Sequence, residues 1–217
     1  MKLAVLLFGI SIENDYVRPC SNGESINVDY KISLDNYKEY IFDYFKNKGY
    51  VIDIFFSTNP SPTKEDQYEL INTFKPINYT FVNNEKDNYL SKHKKLCSVT
   101  KLCLDSNIIY DNVLLTRFDL LFRKNFNSVN IDMNKFNLVT VLEKPAVVCD
   151  NLYIMPYKML DIFYKIIEKK PRTHYIRYDL EKLIGEDLIN YIDPFPEGSR
   201  YRRIRHITFY EIVRDKA

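Results

Sequence analysis

The stretch that decides the fold is Tyr110-Asp-Asn-Val-Leu-Leu-Thr-Arg-Phe-Asp-Leu-Leu-Phe122, an apolar run interrupted by one arginine and one carboxylate. Its pattern predicts a buried strand from Asn112 to Thr116 that continues past Asp119. Residues two apart in a strand point to the same side, so Arg117 and Asp119 should emerge together. Charges inside an apolar run are costly unless they are paired or bind a ligand. Two interpretations follow: an internal salt bridge at a strand end, or a site for a substrate that carries phosphate and a divalent metal.

The segments before this stretch alternate between strand and helix. Apolar runs predict strands, and helical spacing predicts helices, in the order strand 3–8, helix 33–48 with Ser33 as its cap, strand 51–56, helix 63–74, strand 77–82 and helix 85–104. Such alternation favours a parallel sheet with right-handed crossovers. The polar segment 10–31 is predicted to be a long loop.

After residue 120 the order changes to two strands, two helices and a last strand. The predicted ranges are 137–142, 146–154, 159–167, 179–191 and 205–213. No linker or repeat divides the chain, so we predict one α/β domain over residues 1–217, with a mostly parallel central sheet flanked by helices. Its two parts are residues 1–120, where strands alternate with helices, and residues 121–217, which include the tail.

Composition excludes several classes of protein. The chain has 217 residues, 46% of them hydrophobic and 28% charged, with a net charge of +2. Nearly balanced charge gives no global attraction to nucleic acid or to an anionic membrane. No apolar run approaches the ~18 residues needed to span a bilayer, so we predict a cytoplasmic protein. The four cysteines form no CxxC pair, which favours reduced thiols over a metal site or a disulfide.

Four polar segments follow predicted strands and should meet where the parallel strands end. They are Phe8-Gly9-Ile10-Ser11, Ser57-Thr58-Asn59, Thr116–Asp119 and Cys149-Asp150-Asn151. Gly9 lets the backbone approach a ligand closely, but the Gly patterns of dinucleotide folds and P-loops are missing. Asp150 lies among apolar residues, which suits a general base. The alternative is a strand-bend carboxylate that accepts hydrogen bonds from nearby backbone amides.

Basic residues provide further candidates. Arg200-Tyr-Arg-Arg-Ile-Arg-His206 is the densest local charge. It fits a solvated strand edge, a clamp on a diphosphate, or an RNA-binding surface. His206 is a candidate ligand for Mn²⁺. Lys94, Lys95 and Lys101 are predicted to lie on a solvated helix face, from which one of them, Lys101, reaches a nucleotide.

The strand-end segments together with Asp150-Asn-Leu-Tyr-Ile-Met155 resemble small nucleotide-sugar glycosyltransferases of the GT-A fold, over residues 1–165. The similar proteins are encoded by large DNA viruses and by bacterial polysaccharide clusters. In that group a strand ending in Thr-Arg-x-Asp stands where other GT-A enzymes have Asp-x-Asp. Here this strand end is Thr116-Arg-Phe-Asp119.

The resemblance implies a role for each matching residue. Asp119 would hold Mn²⁺ or Mg²⁺ on the donor diphosphate with His206, Arg117 would contact the donor's phosphate or sugar, and Asp150 would act as the base. The nucleotide pocket would be lined by Phe8, Gly9, Ser11, Ser57, Lys101 and Arg203.

The function implied is transfer of a sugar from a nucleotide-sugar donor to a hydroxyl of a glycan or glycoprotein. Two alternatives remain open. One is a nucleotidyltransferase that makes activated sugars. The other is an α/β module that binds RNA or a protein partner through Arg200–Arg205. The sequence does not select the sugar, the base, the acceptor, the stereochemical outcome or the oligomeric state.

Overall fold

A computed structural model describes residues 1–17, 25–140, 148–192, 210–212 and 215–216. The strands, in chain order, are β1 (Lys2–Gly9), β2 (Ile12–Val17), β3 (Ser25–Asp29), β4 (Val51–Thr58), β5 (Asn78–Phe81), β6 (Asn112–Arg117), β7 (Leu120–Phe122), β8 (Phe136–Thr140), β9 (Val148–Pro156), β10 (Ile189–Ile192), β11 (Tyr210–Ile212) and β12 (Asp215–Lys216). The α-helices are α1 (Lys31–Tyr37), α2 (Tyr44–Asn47), α3 (Lys64–Phe74), α4 (Asn88–Asp105), α5 (Leu160–Lys169) and α6 (Arg177–Ile184). A π-helical segment, Lys38–Asp43, joins α1 to α2.

The central sheet has seven strands in the order β10-β8-β9-β6-β1-β4-β5. β1 pairs in parallel with β4 and with β6, and β4 pairs in parallel with β5. Strand β9 is antiparallel to its neighbours β6 and β8, whereas β10 is parallel to β8. The predicted α/β fold with a mostly parallel central sheet is therefore confirmed.

Alternate residues of β1 enter two hydrophobic layers on opposite faces of the sheet, as the strand period requires. Leu3, Val5 and Leu7 pack in the layer that contains Tyr37 and Phe45 of the helices before β4. Ala4, Leu6 and Phe8 pack in the other layer, with Leu96, Val99 and Cys103 of α4. Burial on both faces explains why β1 reads as a continuous apolar run.

The predicted loop at 10–31 is wrong over most of its described part. Its described part forms β2 and β3, which pair in antiparallel fashion with a register shift between Glu13 and Tyr16. β3 also pairs with β12 near the C-terminus. The polar sequence of this small sheet lacks the apolar runs from which the other strands were predicted.

Two predicted helix boundaries also need correction. Helix α1 begins at Lys31, so Ser33 lies inside the helix and does not cap it. The predicted helix 179–191 ends at Ile184, because Gly185 has φ of +89° and turns the chain. β10 follows as an added edge strand. By contrast, Thr63 caps α3 as predicted, and its Oγ1 accepts a hydrogen bond of 3.1 Å from the Asp66 amide.

Other predictions fall partly outside the described residues. These include the predicted strand positions 141–142, 146–147 and 205–209, and Cys20. The described cysteines Cys97, Cys103 and Cys149 form no disulfide with one another. Within the described ranges, no helix combines the length and the apolar character that crossing a membrane requires.

Candidate functional site

The parallel strands β1, β4, β5 and β6 end at one edge of the sheet, called here the carboxyl edge. Phe8 is in register with Ser57 on one side and with Arg117 on the other. The Phe8 side chain packs in the same layer as α4. Ser57 lies two residues after Phe55 of that layer, so its side chain is directed to the same face. The sheet therefore brings the three predicted residues Phe8, Ser57 and Arg117 together beneath α4.

Arg117 and Asp119 form a bidentate ion pair at this edge. Arg117 Nε donates to Asp119 Oδ1 at 2.6 Å, and Nη2 donates to Oδ2 at 2.5 Å. The two side chains are only 10% and 2% exposed. The prediction of one strand running past Asp119 is wrong, because β6 ends at Arg117 and a turn at Phe118–Asp119 leads into β7. The internal salt bridge was one of the two interpretations that the sequence allowed.

Side chains of α1 hold this turn in place. The Tyr37 hydroxyl donates to the Arg117 carbonyl and accepts a hydrogen bond of 3.3 Å from the Leu120 amide. Ser33 Oγ donates to the Phe118 carbonyl at 2.5 Å. Burial, with the charge of Asp119 in second place, raises the pKa of Tyr37 well above its ordinary value, so this hydroxyl remains a donor. Helix α1 thereby fixes the backbone from which Arg117 and Asp119 project.

A second ion pair joins α4 to the neighbouring strand β9. Lys92 Nζ lies 2.7 Å from Asp150 Oδ1 and donates to Asn151 Oδ1 at 3.2 Å. The Lys92 and Asp150 side chains are 18% and 21% exposed, so solvent reaches both. Asn151 also donates through Nδ2 to Cys149 Sγ at 3.3 Å, which fixes its orientation. The predicted base, Asp150, is therefore held by a lysine.

Lys92 is a functional candidate that the sequence predictions missed. It precedes Leu96, Val99 and Cys103 at spacings of four, three and four residues, the pattern of the buried helix face. A lysine at the head of such a row was the available signal. Burial lowers the pKa of Lys92; the charge of Asp150 opposes this shift, and the charge of Arg117 adds to it.

Lys95 corrects the prediction of a solvated lysine face. Its side chain is 1% exposed, and Nζ donates to Asn84 Oδ1 at 2.6 Å and to Ser91 Oγ at 2.9 Å. Asn84 in turn donates to Glu13 Oε2 at 2.9 Å. Burial lowers the pKa of Lys95 to about 8, since its directly bonded partners are neutral oxygens.

Hydroxyl groups occupy the space between the ends of β1 and β4. Ser11 is fully buried, and its Oγ accepts a hydrogen bond of 2.9 Å from Thr58 Oγ1. Ser11 therefore ties the two strand ends together. Ser57 Oγ is buried and has no hydrogen-bond partner within the part of the chain that the structure describes. An unsatisfied buried hydroxyl is unusual and is available to a ligand.

Of the remaining predicted site residues, one lies away from this edge and two fall outside the described residues. Lys101 is exposed and pairs with Asp105 at 3.2 Å. It follows Lys92 by nine residues on α4, or about 13 Å along the helix axis. Arg203 and His206 lie outside the described residues, together with the rest of the Arg200–His206 cluster.

The described residues include one of the two predicted ligands of the Mn²⁺ or Mg²⁺ site, Asp119, because His206 lies outside them. Over the described ranges, no group of three or more His, Cys, Asp or Glu side chains could hold a metal ion. Both carboxylate oxygens of Asp119 contact Arg117. These cations prefer several oxygen ligands, and Asp119, the predicted ligand among the described residues, is bound to an arginine.

Comparison with known proteins gave matches among solved structures, including two at low sequence identity. No protein-family model and no curated protein matches the sequence. One matching crystal structure is a glycosyltransferase involved in the glycosylation of the major capsid of PBCV-1, with 10% identity, a TM-score of 0.49, and coverage of 97% of this chain and 92% of that one. Another is a cytidylyltransferase from Leptospira borgpetersenii serovar Hardjo-bovis (strain JB197), with 11% identity, a TM-score of 0.47, and coverage of 93% and 79%. Likeness at this level does not identify a reaction, because α/β folds carry many unrelated activities.

Proposed function

We propose that this chain transfers a sugar from a nucleotide-sugar donor to a hydroxyl of a glycan. The supporting observation is the meeting of two partly buried ion pairs, Arg117–Asp119 and Lys92–Asp150, at the carboxyl edge of a mostly parallel sheet. Ligands of open parallel sheets bind outside this edge. Charged groups gathered there, with a perturbed lysine among them, are typical of a functional site.

The donor nucleotide is proposed to lie over the ends of β1 and β4. Gly9 has φ of +105°, and a Cβ atom placed on it would lie 4.0 Å from Arg117 Cγ. The missing side chain thus leaves the backbone open to a ligand beside Arg117. Ser57 Oγ is a hydroxyl that the nucleotide can satisfy. Ser11, which is as fully buried as Ser57, supports the pocket through its hydrogen bond with Thr58.

In the proposed reaction the acceptor hydroxyl oxygen bonds to the anomeric carbon of the donor sugar. The bond from that carbon to the diphosphate oxygen breaks, and the diphosphate leaves with the electron pair. The acceptor's proton passes to the carboxylate of Asp150, which solvent reaches at the site edge. Arg117 stabilises the negative charge that develops on the departing diphosphate. No step is assigned to a metal ion.

A thermal-shift panel tests the proposal. UDP-, GDP-, CMP- and dTDP-sugars are each added with and without Mn²⁺, because a ligand that binds the folded state raises the melting temperature. We expect one nucleotide to stabilise the wild type and not Asp119→Ala. Glycan-dependent release of the nucleoside diphosphate, or of CMP from a CMP-sugar, then identifies sugar transfer. Release of pyrophosphate from a nucleoside triphosphate and a sugar phosphate would identify nucleotidyl transfer and contradict the proposal.

The same panel includes an RNA oligonucleotide at two salt concentrations. The proposal would be overturned if no nucleotide sugar raised the melting temperature and RNA raised it by an amount that falls as salt is added. That result would favour the binding module based on the Arg200–Arg205 cluster.

A further inference from the structure

We infer that Lys92 of α4 binds the phosphate groups of the ligand, in a pocket between α4 and the ends of β6 and β9. This inference rests on the proposed function and assigns its phosphate subsite. Neither the sequence pattern nor the resemblance to glycosyltransferases pointed to this residue. The Lys92 ammonium group lies among the residues of the site, in contact with Asp150 and Asn151.

The strand register places the Lys92 ammonium beside Arg117. Thr116 pairs with Leu152 across β6 and β9, and Arg117 and Asn151 are the next residues of these two strands beyond that pair. Paired residues of adjacent strands have Cβ atoms about 5 Å apart. Lys92 donates to that same Asn151 at 3.2 Å, so its ammonium and the Arg117 side chain share one corner of the carboxyl edge.

Two cations in one partly buried corner repel each other. The charge of Arg117 contributes to the lowered pKa of Lys92, which is the electrostatic sign of this repulsion. Each cation has its own carboxylate, Asp150 for Lys92 and Asp119 for Arg117, but the repulsion between them persists. An anion bound between them removes the repulsion, and a phosphate group suits two cationic donors.

The Lys92 ammonium also has an N–H donor that a ligand can use. It carries three N–H donors, and its hydrogen bonds in the described structure go to Asp150 and to Asn151. The Lys92 side chain is 18% exposed, so a ligand at the carboxyl edge can reach it. A phosphate oxygen accepting the third hydrogen would leave the contacts with Asp150 and Asn151 intact.

The chemistry of this corner defines the ligand class. Cationic donors from α4 and β6 favour a diphosphate over a neutral sugar, because charge-assisted hydrogen bonds are the stronger ones. The same cations would stabilise the charge of a departing nucleoside diphosphate without a metal. The ligand class we assign is therefore a nucleoside diphosphate, free or joined to a sugar.

The experiment measures binding of inorganic pyrophosphate and of UDP, GDP and dTDP by titration calorimetry in EDTA at low ionic strength. The matching nucleosides, which carry no phosphate, serve as ligand controls. The variants are Lys92→Met, the charge-conserving Lys92→Arg, and Lys94→Met as a protein control. Lys94 lies two residues away on the same helix, pairs with Glu85, and has a side chain that is 47% exposed. Lys92→Met/Asp150→Asn is included, since it removes both charges and leaves no unpaired carboxylate.

The wild type and Lys94→Met should bind pyrophosphate and one nucleoside diphosphate in EDTA. Lys92→Met and the double variant should bind these anions roughly 10- to 100-fold more weakly, as expected for loss of a charged hydrogen bond. Nucleoside binding should not change, and Lys92→Arg should retain most of the affinity.

Equal affinity of the wild type and the double variant for diphosphates would overturn the inference. So would a wild type that binds nucleoside diphosphates only when Mn²⁺ replaces EDTA, with no effect of Lys92→Met. In both cases the proposed function survives, because the nucleotide still binds. Failure of every nucleotide and nucleotide sugar to bind, with or without Mn²⁺, would instead refute the proposed function itself.

Discussion

The hydroxyl group of Tyr37 on α1 donates a hydrogen bond to the backbone carbonyl of Arg117, at the point where β6 ends. Tyr37 is fully buried, and its hydroxyl also accepts from the Leu120 amide at 3.3 Å. One side chain therefore spans the turn that carries Asp119. The geometry of the Arg117–Asp119 ion pair depends on a helix that lies eighty residues earlier in the chain.

Removing this hydroxyl should destabilise the protein. Tyr37→Phe leaves the Arg117 carbonyl and the Leu120 amide without this partner inside the core, a loss of about 1–3 kcal/mol in the free energy of unfolding. Urea denaturation measures it, with Tyr68→Phe as the control because Tyr68 is 66% exposed on α3. Equal stability of Tyr37→Phe and the wild type would mean that the turn is held by other contacts.

Substitutions in the Arg117–Asp119 pair should affect the stability of the fold and nucleotide binding in different ways. Asp119→Asn removes the carboxylate charge that the buried guanidinium contacts through Nε and Nη2, and it should cost about 3–5 kcal/mol. The double change Arg117→Met/Asp119→Leu removes both charges and should recover most of that stability, since apolar replacements of buried pairs are often neutral. It should not recover nucleotide binding.

Denaturation and the thermal-shift panel together measure both effects. Asp35→Asn is the control, because the Asp35 side chain is 93% exposed in its pair with Lys38. Nucleotide binding by the double variant at wild-type affinity would reduce the Arg117–Asp119 pair to a structural contact.

The sequence predicted the helices and strands in which apolar residues recur in a regular pattern over many positions. β1 and β6 are buried on both faces over nearly their whole length, and β4 is buried over its second half, so their apolar residues were sufficient. The order of these strands with α3 and α4 then predicted the mostly parallel sheet. β2 and β3 form a separate three-stranded sheet with β12. No local sequence pattern predicts that β3 pairs with a strand some two hundred residues later in the chain.

Part of the candidate site could also be predicted, because some of its charged residues interrupt apolar runs. Arg117, Asp119 and Asp150 are charges inside apolar runs, which a sequence displays directly. The partner of Asp150 could not be found this way, because Lys92 is one lysine among several on α4 and only the tertiary fold selects it. The turn that separates β6 from β7 between Arg117 and Leu120 could likewise not be predicted, because Ser33 and Tyr37 of a distant helix stabilise it.

Asp150 should control turnover more than donor binding. Asp150→Asn retains the shape of the side chain and an oxygen for Lys92, but it removes the proposed proton acceptor. We expect kcat to fall by about 10²–10⁴ with little change in donor affinity. Steady-state kinetics with the nucleotide sugar found in the panel measure both quantities. Unchanged kcat would show that Asp150 serves only to hold Lys92.

Stability above neutral pH should reveal the buried ammonium of Lys95. Burial lowers its pKa in the folded state to about 8, whereas an unfolded lysine titrates near its ordinary value of 10.5. Between these values the unfolded chain binds more protons than the folded one, so this group makes the free energy of unfolding rise with pH. The full difference corresponds to roughly 3 kcal/mol, and it is gained progressively above pH 8.

Comparison with Lys95→Met isolates this contribution from other groups that titrate in the same range. Urea denaturation of both proteins between pH 7 and about 9.5 should show the wild type gaining stability relative to the variant as pH rises. Lys94→Met, which removes a half-exposed lysine from the same helix, should show a constant difference from the wild type. A constant difference for Lys95→Met as well would mean that the Lys95 ammonium is solvated in the folded protein. In that case the hydrogen bonds to Asn84 and Ser91 would not hold it in the core.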